Sequence, residues 1–164
     1  MAAWLAGCST VQTMGSEKLV ATANWALLPF ANHTETPQAG LRAEAIAANL
    51  LRGQGVTSLR TYPAGLVAET LLEPADRKLM DKAMAWAREQ GVRYAVSGEV
   101  NEWRYKVGID GEPAVGLTLQ VLDLTDGRIV YSAVGGKSGW SREALSAVAQ
   151  KLMKDMVTGI PLTK

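Results

Sequence analysis

Cysteine and histidine are almost missing from this chain of 164 residues, which holds one of each. A lone Cys8 excludes an intrachain disulfide and any Cys-rich zinc site. A lone His33 excludes most His-based metal sites and leaves acid–base chemistry few candidates. Charge of one sign is missing too: 17 Lys+Arg stand against 16 Asp+Glu, a formal net charge of +1. No global field results, which argues against a nucleic-acid partner held by bulk charge. No stretch reaches the ~20 apolar residues of a membrane-spanning helix. What is present is an ordinary globular balance, 48% hydrophobic and 20% charged, at a length suited to one domain.

The amino end carries Trp4-Leu5-Ala6-Gly7-Cys8-Ser9. Leu-Ala-Gly-Cys has the form of a bacterial lipobox, in which small residues permit cleavage and the thiol is acylated. Met1 to Gly7 lack the charged start and the apolar run of ~7–15 residues of a full signal peptide. The lipobox therefore reads as the end of a truncated leader. Each buried CH₂ contributes about 0.8 kcal/mol, so the several acyl chains usual on such a cysteine anchor it firmly. Ser9, rather than Asp, after the cysteine is the outer-membrane pattern. The expected division is residues 1–8 as truncated leader and lipidated Cys8, 9–23 as tether, and 24–164 as one domain.

Residues 24–32 form a short apolar run, read as a buried strand. Thr36-Pro37 offers an N-cap hydroxyl and a first-turn proline for a helix. Ala43, Ile46, Ala47, Leu50 and Leu51 share one face of it, and Gly53 and Gly55 end it. Residues 56–62 read as a second strand, and 64–72 stay ambiguous. Glu73-Pro74 opens a second helix with the stripe Leu79, Ala83, Trp86 and Ala87, stopped at Gly91. Val92, Tyr94, Val96 and Val100 alternate with polar residues, after which the apolar phase slips to Trp103, Tyr105 and Val107. A one-residue slip predicts a β-bulge. Val115, Leu117, Leu119 and Val121 alternate, Thr125-Asp126-Gly127 turns the chain, and 129–134 return. Leu145, Val148, Ala149, Leu152, Met153, Met156 and Val157 follow helical spacing, ended by Gly159 and Pro161. The predicted fold is α/β, a single mixed sheet with packed helices in the order β-α-β-α-β-β-β-α.

Most chemical motifs fail. Gly135-Gly136-Lys137-Ser138 imitates a phosphate-binding loop, but Tyr131 stands where the first glycine belongs. The following helix also begins too late to meet a phosphate. His33 has no nucleophile elbow and no second metal-ligating partner nearby, so it reads as a loop histidine with a local hydrogen bond. Glu99/Glu102 and Asp110/Glu112 are the available acid pairs. Sequence neighbours seldom hold the fixed separation that glycosidase carboxylates need, so a hydrolase is the minor reading.

Several strings are longer than chance readily supplies. Residues 25–37 (WALLPFANHTETP), 96–100 (VSGEV), 103–105 (WRY), 111–116 (GEPAVG) and 138–141 (SGWS) resemble the PelC family. That family comprises outer-membrane lipoproteins of Pel exopolysaccharide export. With the lipobox, the likeness spans nearly the whole chain; the missing leader start is its departure. The resemblance implies a fold related to the periplasmic domain of the curli secretion lipoprotein CsgG, with no catalysis and no cofactor or metal. It implies a homo-oligomeric ring anchored to outer-membrane lipid on the periplasmic face. Such a ring guides a cationic amino-sugar polysaccharide to an outer-membrane β-barrel.

The resemblance carries Trp140 over as a membrane-contacting aromatic, flanked by Lys137 and Arg142 for anionic headgroups. The residues alone allow another reading: with Ser141 as N-cap, Trp140 and Leu145 have the spacing of a hydrophobic staple. Asp110 and Glu112 lie in the 108–116 loop, where glycines and a proline place carboxylates at a tip. A ring multiplies such a pair around one axis and focuses its field. The alternative from another class is a monomeric periplasmic lipoprotein that activates a cell-envelope enzyme by protein–protein contact.

Overall fold

A nine-residue apolar run with a proline near its end becomes the central strand of the molecule, β3 (Asn24–Asn32), and the rest is arranged around it. The computed structural model describes residues 8–63, 76–108 and 111–163. In chain order the elements are β1 (Ser9–Met14), β2 (Leu19–Val20), β3, α1 (Ala39–Gly53), β4 (Ser58–Thr61) and α2 (Asp76–Glu89). β5 (Tyr94–Tyr105), β6 (Pro113–Asp123), β7 (Arg128–Ser138), α3 (Leu145–Thr158) and β8 (Leu162–Thr163) complete them. The six-stranded sheet runs β1-β7-β6-β5-β3-β4. β3 pairs in parallel with β4 and β5, each reached through a helical crossover, and β5, β6, β7 and β1 are antiparallel. The fold is thus α/β with one large mixed sheet, and the predicted element order holds with three strands added.

Two of those additions correct the tether expected over residues 9–23. β1 pairs along its whole length with β7, from Ser9 opposite Lys137 to Met14 opposite Ser132. β2 pairs with β8, and the Trp25 indole N–H donates to the Val20 carbonyl at 3.0 Å. Polar, exposed residues hid β1 because an edge strand needs backbone bonds rather than an apolar face.

Alternation along the strands sorts the core into two layers. Trp25, Leu27, Val96, Val100, Leu117, Leu119 and Tyr131 face α1 and α3. Ala26, Leu28 and Ala95 face α2, which contributes Ala83 and Ala87. The predicted slip in β5 is real: Val100 lies opposite Leu117 and Glu102 opposite Gly116, so Asn101 is the extra residue. It turns Trp103 into the core, whereas Tyr105 and Val107 point to solvent.

A second register shift falls in β3 between Leu27 and Phe30, at Pro29, which has no N–H to give the ladder. It swings Phe30 onto the α1 side, over Gly98. The freed Phe30 N–H donates to the Glu44 carboxylate at 2.9 Å. The first helix begins at Ala39, later than Thr36-Pro37 predicts, because the Thr36 hydroxyl donates to the Trp103 carbonyl instead of capping. β4 is also shorter than the run 56–62. The 64–72 stretch and the Glu73-Pro74 helix opening lie outside the described residues. Among the described residues, no helix is long and apolar enough to cross a membrane.

Candidate functional site

The antiparallel half of the sheet ends in one place. There the start of β1, the β5–β6 hairpin, the end of β7 and the approach to α3 come together. The Ser138 N–H donates to the Cys8 carbonyl at 3.1 Å, and the Gly139 N–H to the Pro113 carbonyl at 2.9 Å. Lys106 closes the hairpin: its N–H donates to the Glu112 carbonyl at 2.7 Å, and its ammonium donates to the Ser138 hydroxyl at 2.9 Å. The same ammonium lies 3.8 Å from the Glu112 carboxylate. Cys8, Glu112, Lys137 and Trp140 therefore share one end of the molecule. Asp110 lies outside the described residues.

Trp140 is 48% exposed, and the reason is local. A Cβ on Gly139 would stand 2.5 Å from Val148 Cγ2 and 2.5 Å from Glu143 Oε2, so only glycine lets the chain press against the start of α3 there. The Trp140 N–H then donates to Glu143 Oε2 at 3.3 Å, and the Glu143 N–H returns to the Trp140 carbonyl at 2.9 Å. The Lys151 ammonium donates to the Glu143 carboxylate and, as the main cause, holds it below the usual carboxylate range. Helix α3 has Ala144, not Ser141, at its N-cap, and Leu145 is its first residue. The staple spacing between Trp140 and Leu145 is consequently lost, because residues 141–144 are spent in a turn. Lys137 is half-buried within β7, and Arg142 is exposed in that turn.

Two neighbours escaped sequence reasoning. The Tyr105 hydroxyl accepts the Leu145 N–H at 3.2 Å and is 51% exposed. Glu143 caps the Trp140 turn, and its only signal was a carboxylate three residues after the tryptophan. Gly135 to Ser138 sit inside β7, paired with β1 and β6, so the imitation phosphate loop is strand.

His33 lies at a separate cavity of about 410 Å³ between α2 and the sheet, its Nε2 3.8 Å from Glu99 Oε2. Glu102 is held by Arg104 at 2.9 Å. Glu99 and Glu102 thus each face a basic side chain. No group of three or more His, Cys, Asp or Glu able to hold a metal occurs among the described residues.

Fold and site together define a class: an α/β domain with helices on both faces of a mixed sheet, its amino-terminal cysteine docked beside an exposed tryptophan. No family model and no curated protein matches the chain. Solved structures do. A PelC dodecamer from Paraburkholderia phytofirmans is 40% identical over 96% of this chain and 100% of its own, with a TM-score of 0.81. A second PelC dodecamer from the same organism, a leucine-to-methionine variant, is 42% identical over 95% of this chain and 100% of its own, with a TM-score of 0.82. The chain belongs to the PelC family. Lipoprotein GNA1162 from Neisseria meningitidis shares the fold alone, at 17% identity, 84% and 97% coverage and a TM-score of 0.61.

Proposed function

We propose that this chain is a lipid-anchored, non-enzymatic subunit of a homo-oligomeric ring on the periplasmic face of the outer membrane. The ring guides a cationic, partly deacetylated amino-sugar polymer, the Pel exopolysaccharide, to an outer-membrane β-barrel. The observation that carries the reading is whole-chain identity of 40–42% to proteins that are dodecamers. The shared end of the molecule supports it: Cys8 supplies the acyl chains where Trp140 is exposed, so anchor and indole address one surface. An indole has an apolar body and one N–H and favours the bilayer interface. Lys137 and Arg142 stand ready for anionic headgroups. Repetition around the ring sums weak insertions into firm seating.

Asp110 and Glu112 act collectively in the same way. One carboxylate–ammonium contact at 4 Å in water is worth only ~1 kcal/mol. Many copies facing one axis hold a polycation without trapping it. Mass measurement of the full chain on a lipid layer tests the reading. Closed rings are expected; a persistent monomer at high concentration or on lipid overturns it and favours an enzyme-activating lipoprotein.

A further inference from the structure

The cavity of about 410 Å³ between α2 and the sheet has two walls of different chemistry. Its floor is the side of β5 and β6 that faces α2. Ala95 packs against α2 there, and alternation puts Ser97 and Glu99 on the same side. Across the ladder, Ser97 lies opposite Gln120 and Glu99 opposite Thr118, so four polar side chains line the floor. The opposite wall is apolar, made by Met80 and Met84, one turn apart on α2.

The fold makes no use of this floor. Ser97 is only 7% exposed, yet its hydroxyl has no hydrogen-bond partner among the described residues, and neither has the Gln120 amide. Among the described residues no side-chain oxygen or nitrogen is both sealed from solvent and unpaired, so the Ser97 oxygen opens into the cavity. An unmet hydroxyl costs stability, and alanine, as at position 95, would serve a purely structural site. The Thr118 hydroxyl accepts from the Asn101 amide at 3.1 Å and keeps its own proton to give.

Charge at the rim is shared out. His33 stands 3.8 Å from Glu99, and Arg77 stands one turn from Asp81 on α2. An ammonium ion finds no carboxylate there without a base beside it. A neutral group with a polar edge and an apolar face fits better. An N-acetylated pyranose has that form, with hydroxyls and an acetamide along its edge, C–H groups on its face and a methyl at the acetamide tip. The Gln120 carboxamide can match the acetamide, donor to acceptor, and the Met80 and Met84 thioethers adapt to an irregular apolar surface. The volume lies within the range of small-ligand pockets.

We propose that this cavity binds one neutral, N-acetylated amino-sugar residue of the polymer. The proposal takes the polymer's chemistry, though not the ring, from the function proposed above. A partly deacetylated chain then meets two kinds of site, the acidic loop for its ammonium groups and the Ser97–Gln120 floor for its acetylated units.

Methionine-methyl NMR of the full chain tests the site. Met80 and Met84 line the cavity, whereas Met14 is exposed elsewhere and Met153 and Met156 lie in the other core layer. A fully N-acetylated hexosamine oligosaccharide is expected to shift the Met80 and Met84 signals and leave the other three. The same oligosaccharide, fully deacetylated, should bind at least about fivefold more weakly. Ser97→Ala and Gln120→Leu should each weaken binding of the acetylated form by a similar factor. Neither substitution removes an internal hydrogen bond, so an unchanged melting temperature confirms their folding. No response, an equal response to a glucose oligosaccharide or to the deacetylated form, or wild-type binding by both variants overturns the site. Rings that form all the same leave the function proposed above standing. A selective response from a chain that never assembles supports the site and overturns the ring.

Discussion

Ser138 gives its main-chain N–H to the carbonyl of Cys8, so the cysteine is docked on the sheet beside the residue that stands two before Trp140. Little slack separates an acyl anchor at Cys8 from the body. On the function proposed above, the indole would then reach the bilayer by geometry rather than by a search through a long tether.

That relationship, with the absent staple, makes Trp140→Ala a clean probe. Trp140 is half exposed and caps nothing with its side chain. Stability should change by less than about 0.5 kcal/mol, as at ordinary surface sites. Binding of the unacylated chain to vesicles containing anionic lipid should fall several-fold in flotation. A large drop in melting temperature would return Trp140 to a packing role.

Gly98 should tolerate nothing larger. A Cβ there would stand 2.5 Å from Phe30 Cε2 and 2.6 Å from the Thr118 carbonyl oxygen, with backbone on one side and a buried ring on the other. Gly98→Ala should cost about 1–3 kcal/mol by overpacking, read as a lowered urea midpoint with unchanged slope. Gly98→Ala with Phe30→Leu should recover part of that loss, because the smaller side chain vacates the space.

The same residues show what the chain discloses about itself. Strict alternation in β6 and helical spacing in α3 are burial patterns, and burial is what hydrophobicity records. The bulge at Asn101 was legible because it shifts that pattern by one residue. β1 was not, since an edge strand of Ser, Thr and Gln is stabilised by backbone pairing with β7. Helix starts were misplaced for a related reason: Thr36 bonds to Trp103, 67 residues away, and local capping rules cannot see such a partner. For the site, Cys8, Glu112, Lys137, Trp140 and Arg142 could be named from the sequence. Their convergence at one sheet end depends on the register of four strands.

Glu44 should leave a pH signature in stability. Burial pushes its carboxyl above the usual range, and the Phe30 N–H opposes that shift. A raised folded pKa means stability that is present below the unfolded pKa and lost as pH rises through the folded one. Glu44→Gln keeps an oxygen for the Phe30 N–H and removes the desolvated charge. The variant should therefore gain stability over wild type at neutral pH, with the gain vanishing below about pH 4. Glu44→Ala, which leaves the N–H without its acceptor, should lose about 1–3 kcal/mol below about pH 4, and the loss should shrink toward neutral pH, where wild type carries the desolvated charge. Urea midpoints across pH measure both.

Charge removal in the β5–β6 connection separates guiding from assembly. Glu112 lies 3.8 Å from Lys106, so Glu112→Lys sets two ammonium groups side by side and disturbs the backbone there as well as its charge. Glu112→Gln is the gentler change, removing charge while keeping shape, and Asp110→Asn is its companion. The double amide variant should form rings of wild-type mass, because each amide keeps the shape of the side chain it replaces. Export of the polymer should fall, and the defect should resemble that of wild type at raised ionic strength. Contacts between exposed charges are screened beyond about 10 Å at 0.1 M salt, so a field summed over many subunits would be the salt-sensitive part of the proposed transport. Export unchanged in the double variant would remove both carboxylates from the mechanism and leave the ring as a scaffold for the barrel.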